Sequence, residues 1–117
     1  MMATASQVLD ILNQIDSLIQ QMNSSIDADY TRQLALKASS LPDNLNWGSG
    51  QKYIDSISDG FLNISFLAGT DQIISAVEQT NEALDNYLNY LSRTWWQFGA
   101  SDTRSSNLTL PSIKHLH

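Results

Sequence analysis

Apolar residues recur along this chain with the period of a helix. Val8, Ile11, Leu12, Ile15, Leu18, Ile19, Met22 and Ile26 fall at steps of mostly three and four, with Gln7, Asp10, Gln14, Asp16, Gln20 and Gln21 between them. That stripe predicts an amphipathic helix over 5–22. Thr4 and Gln7 have the spacing of a capping box at its start. Asn23, Ser24, Ser25, Asp27 and Asp29 are weak helix formers. The stripe nevertheless runs on through Tyr30, Leu34 and Ala38, so the pattern predicts one helix to about Ser39, bent near residue 24.

The strongest breakers follow. Ser39-Ser40-Leu41-Pro42-Asp43-Asn44 leads into Trp47-Gly48-Ser49-Gly50. Proline cannot continue a helix, and paired glycines allow a tight reversal. A large aromatic is unusual in a turn. Trp47 therefore either plugs the open end of a helix pair, against Leu41, Leu45 and Tyr53, or is offered to a partner.

Beyond the turn, Tyr53, Ile54, Ile57, Phe61, Ile64 and Ala68 keep helical spacing, and Leu62, Phe66 and Leu67 widen the stripe. Residues 61–68 are apolar nearly all round and so predicted to be buried, although periodicity alone also allows a buried strand over 61–67. Gly69-Thr70-Asp71 predicts a break, with Thr70 capping a new helix and Asp71 at its positive end. From there Ile74, Asn81, Leu88 and Trp95 recur every seven residues, interleaved with Val77, Leu84, Leu91 and Phe98. This a/d repeat is the pattern of coiled-coil-like packing. Asn81, at an a position, either pairs across an interface and sets register or turns to the rim and meets water. Gly99 then stands where a glycine ends a helix.

The expected fold is all-α: a helical hairpin with a Trp/Gly turn, its second arm broken near Gly69, pairing into a four-helix bundle. Residues 1–99 form the hairpin domain, and 100–117, polar and without periodicity, a flexible C-terminal tail. Wide apolar stripes on both arms favour pairing with a second hairpin, homodimeric or heterodimeric. Ile74, Val77, Asn81, Leu84, Leu88, Leu91 and Trp95 are its expected interface or core.

At 117 residues with net charge −6, the chain is one acidic domain. Its six Lys and Arg residues are scattered, which argues against nucleic acid as a partner. The absence of cysteine excludes a disulfide framework and a thiolate metal site. No apolar run approaches the ~18 residues of a membrane span, and the start lacks the pattern of a cleavable leader.

Catalytic chemistry is hard to assemble from these residues. The only histidines, His115 and His117, lie in the tail. Asp55/Asp59 and Glu78/Glu82 share helix faces at i, i+4 spacing, the arrangement of a solvated surface. No phosphate-loop spacing follows Gly48. The reading is of a protein without enzymatic activity, cofactor or metal. Trp96, three residues after Arg93, either stacks on that guanidinium or anchors a partner.

The string Asn46-Trp47-Gly48-Ser49-Gly50-Gln51-Lys52-Tyr53, between two long helical arms and near residue 47, resembles the turn of WXG-type (ESAT-like) small proteins of type VII secretion. Two departures stand out. The second residue after Trp47 is Ser49 where the family has Gly, and Tyr87 and Tyr90 are followed four residues later by Leu91 and Thr94, not by the acidic residue of the export signal. Members without that signal are typically partners of a subunit that carries it. The resemblance implies a non-enzymatic secretion partner or targeting subunit, forming a four-helix bundle with a like or unlike hairpin. Its protein partners would include a secretion ATPase or toxin. Trp47, Gly48, Gly50, Tyr53 and Trp96 are the residues it marks for recognition. Localisation would be outside the cell without a cleaved leader, or cytoplasmic before export. A helical subunit of a filament or phage-like assembly is the alternative.

Overall fold

The structure is a computed structural model and describes residues 3–24 and 27–94. These residues form an all-α bundle with no strand among them. Helix α1 is Ala5–Ser24, α2 is Ala28–Ser40, α3 is Gln51–Phe66 and α4 is Thr70–Thr94. Two short 3-10 turns, Leu41–Asn44 and Gly48–Gly50, join α2 to α3. Residues 95–117, with Trp95, Trp96, Phe98, Gly99 and both histidines, lie outside the described residues.

The capping box forms at the start of α1. The Thr4 amide donates to Gln7 Oε1 at 2.9 Å, and the Gln7 amide donates to Thr4 Oγ1 at 3.2 Å. Each side chain thus satisfies an amide that the first turn leaves without a helical partner.

The first arm is not one bent helix. It is two helices that run antiparallel. Tyr30 Oη donates to Gln21 Oε1, and Lys37 and Leu41 line a groove with Gln14 and Ser17, so α2 returns along α1. Asp27 makes the second start: its backbone is extended, and its carboxylate accepts from the Asp29 amide at 2.9 Å. The second arm also folds back on itself. α3 ends at Phe66, and the Ile73 amide donates to the Gly69 carbonyl at 3.0 Å as α4 begins. Gly69 therefore takes the capping place expected of Thr70, which opens the helix itself, with Asp71 in the first turn. α4 packs antiparallel on α3, with Thr80 against Gly60 and Tyr87 against Gly50. α2 and α3 are antiparallel too, since Arg32 donates to the Leu67 carbonyl at 3.1 Å.

Four helices from a single chain thus make an up-down-up-down bundle. The apolar stripes close on one another: Val8, Leu12, Ile15, Ile19 and Met22 of α1 share one core with Leu34 and Ala38 of α2, Ile54, Ile57, Phe61 and Ile64 of α3, and Leu84 and Leu88 of α4. Val77, Asn81, Leu84, Leu88 and Leu91 are all buried within this one chain, Asn81 to 5 % exposure, while Ile74 is half-buried at its edge. The stripes that favour a second hairpin in the sequence are covered here by the chain's own extra reversals.

The segment 61–68 is helical through Phe66, not a strand. It is also not buried all round. Phe61 and Ile64 enter the core, whereas Leu62 and Phe66 face outward. Among the described residues this helix packs mainly on α2 and α4, and the apolar residues on its third side are exposed.

Candidate functional site

The Trp–Gly turn is built from short-range devices. Pro42 fixes the first 3-10 turn near its start, where its missing amide is harmless. Asn46 Oδ1 accepts from the Gly48 amide at 3.0 Å, an Asx turn. Gly48 has φ 57°, a conformation that a side chain would strain. The Gly50 amide then donates to the Trp47 carbonyl at 3.0 Å, and α3 starts at the next residue. The Ala3 amide donates to the Asn46 carbonyl at 2.7 Å, tying the start of the chain to this same turn.

Trp47 points inward. Its side chain is 2 % exposed, and Nε1 donates to the Pro42 carbonyl at 2.8 Å. Its ring meets Tyr87 edge-on, centroids 6.0 Å apart and planes at 80°. Of the two roles open to it in the sequence, the structure gives it that of plug. The half-buried residues Leu41, Leu45 and Tyr53 pack against the same core, as that role requires. Its specific partners, though, are the Pro42 carbonyl and a tyrosine forty residues downstream.

An aromatic cluster completes this end. Tyr53 lies 4.8 Å from Tyr90 and 6.1 Å from Tyr87, and Tyr87 and Tyr90 stack at 6.0 Å. The Tyr90 hydroxyl bonds the Ser49 hydroxyl across the turn. Lys52 Nζ stands 5.3 Å from the Tyr53 ring centroid, a cation–π approach. Sequence reasoning missed Tyr87 and Tyr90 as partners of the turn; their i, i+3 spacing on the last long helix was the available signal. Of the residues marked for recognition, Gly48 is exposed, Tyr53 half-buried, and Trp47 and Gly50 buried, while Trp96 lies outside the described residues.

Tyr87 carries the cluster's clearest electrostatic consequence. Burial, seconded by the neighbouring Tyr90, raises its phenol well above the ordinary value of 10.0. A folded-state pKa above the unfolded one contributes stability below about pH 10 and loses it as pH rises further, because the unfolded chain releases the proton first. Stability should therefore fall steeply above about pH 10. In an alkaline absorbance titration one of the four tyrosines should ionise only together with loss of helical circular dichroism. Smooth ionisation of all four in a folded protein would contradict the burial of Tyr87.

The carboxylate pairs stand on exposed faces. Asp55 and Asp59 are solvated on α3, where Asp55 accepts from the Gln51 amide group at 2.9 Å, and Glu78 and Glu82 are exposed on α4. No group of metal-ligating side chains gathers among the described residues, and no helix among them is long and apolar enough to cross a membrane. Comparison with family models, with curated proteins and with solved structures finds no match to this chain.

Proposed function

We propose that this protein is a non-enzymatic binding subunit that acts by docking its helical bundle on another protein, in the setting of type VII secretion. The observation that carries the reading is apolar surface left outside a core the chain has already closed: Leu36, Leu62 and Phe66 are exposed. Large apolar side chains grouped on one face of an otherwise polar surface mark interaction sites. The secretion setting is supported by the string from Asn46 to Tyr53, which turns the chain between two antiparallel helices as it does in the family it resembles. Since Trp47 is interior, any recognition of the turn itself falls to Gly48, Ser49 and Lys52, which are exposed.

The test is export. In a host with a type VII system the protein should appear in the culture medium with the system's ATPase active and not with it inactivated. It should also sediment with a partner subunit or as a closed dimer. Appearance in the medium regardless of the ATPase would remove the secretion setting. Long polymers would instead favour a filament subunit.

A further inference from the structure

The outer face of α2 and α3 combines an apolar strip with an anionic groove. Leu36 is 54 % exposed, Leu62 40 % and Phe66 77 %. Two crossings fix the register of these helices: Arg32 reaches the Leu67 carbonyl, and Ser39 and Ser40 line one groove with Ser58 and Asp59. Stepping inward from both crossings brings Leu36 opposite Leu62. Phe66 lies one helical turn beyond Leu62 on the same face of α3.

The groove, of about 530 Å3, runs from Leu62 toward the Trp–Gly turn, and Asp43, Asp55 and Asp59 line it. Among the described residues no cationic side chain pairs with any of the three. Arg32 is held by Asp29 and the Leu67 carbonyl, Lys52 lies over Tyr53, and Lys37 lines the groove between α1 and α2. Asp55 and Asp59 precede Leu62 and Phe66 by seven residues each, about 10 Å along the helix.

We propose that this face binds a basic amphipathic helix of another protein, its apolar anchors on Leu36, Leu62 and Phe66 and its Lys or Arg side chains, about seven residues away, over Asp43, Asp55 and Asp59. The inference rests on the reading of the protein as a binding subunit and names its partner's chemistry. Charge complementarity selects this occupant. A chain of net charge −6 draws in cationic partners, whereas a second copy on the same face would set acidic groove against acidic groove. The chain's own residues 95–117 offer only Arg104 and Lys114 as permanent cations, in a sequence punctuated by Gly99 and Pro111.

The experiment uses the full chain and two labelled synthetic helical peptides of about 18 residues. The two share one leucine stripe and carry either Lys or Glu at the polar positions. By fluorescence anisotropy the Lys peptide should bind at least ~10-fold more tightly than the Glu peptide, and the advantage should shrink as salt rises. Asp55→Asn with Asp59→Asn should erase the advantage. Leu62→Ser with Phe66→Ser should abolish binding of the Lys peptide while leaving the melting temperature nearly unchanged, since both positions are exposed.

Equal affinity for both peptides, or binding indifferent to the α3 substitutions, overturns the proposal. So does self-association abolished by Leu62→Ser with Phe66→Ser when the Lys peptide does not bind, which gives the face to a second copy. Binding that appears only after deletion of residues 95–117 gives it to the chain's own C-terminal segment. If the Lys peptide fails while the protein is still exported with a partner, the binding-subunit reading stands and only this face and its chemistry are lost.

Discussion

Trp47→Ala should lower the melting temperature by roughly 10–20 °C, corresponding to a loss of about 3–5 kcal/mol. The side chain is fully enclosed, with its indole nitrogen bonded to the Pro42 carbonyl and its ring edge-on to Tyr87. Truncation removes that area, opens a cavity and takes one of two donors from the buried Pro42 carbonyl, which keeps only the Leu45 amide at 3.3 Å. Trp47→Phe, which keeps most of the ring but not the N–H, should recover about half of the loss. Thermal melts followed by circular dichroism measure both. A Trp47→Ala protein that melts within about 2 °C of the parent would show that the turn does not depend on its tryptophan. A practical corollary bears on export: a variant at this position that is no longer exported reports an unfolded bundle before it reports lost recognition.

Gly60→Ala should be the other damaging change, although alanine is the better helix former by about 1 kcal/mol. A Cβ at Gly60 would stand 2.4 Å from Thr80 Oγ1 and 3.2 Å from Thr80 Cβ and Cγ2. Thr80 cannot easily swing aside, because it is buried and its hydroxyl donates to the Ala76 carbonyl at 2.8 Å. The helices must separate at this crossing, at a net cost of about 1–3 kcal/mol. Thr80→Ala should relieve the clash, so Gly60→Ala with Thr80→Ala should lose less than the sum of the two single changes. Chemical denaturation of the four proteins reads that coupling directly. Simple additivity would mean that α3 and α4 do not meet at this point.

Much of the architecture can be read from local pattern. The Thr4/Gln7 box, the Pro42 and Gly48 punctuation and the break at Gly69 each depend on residues within a turn or two of one another, and each forms in the structure. The heptad run of α4 is helical through Thr94, but the helix turns so that Ile73, and not Ile74, is fully buried at its start. The reversal after α1 is harder to read. The apolar stripe keeps its phase from Met22 to Leu34, so periodicity does not distinguish one bent helix from two packed side by side. The deciding residue is Asp27, whose carboxylate caps α2. Leu62 and Phe66 have a similar explanation. An all-round apolar helix announces burial, but which side stays uncovered depends on how many neighbours the fold supplies. For Trp47 the missing information is longer in range still: its plug role needs Tyr87, which only the reversal at Gly69 brings to the turn.

The order of contacts along the chain also has a kinetic meaning. α2 lies on α1, α3 on α2 and α4 on α3, with only short connections between successive helices. Each step of assembly closes a small loop onto the helix made just before it, so little chain entropy is spent before an apolar face is covered. Topologies of this kind fold in microseconds to milliseconds. A chain emerging from the ribosome can then add one hairpin at a time. The tie from Ala3 to Asn46 spans a long stretch of sequence, and it can form as soon as the turn has emerged.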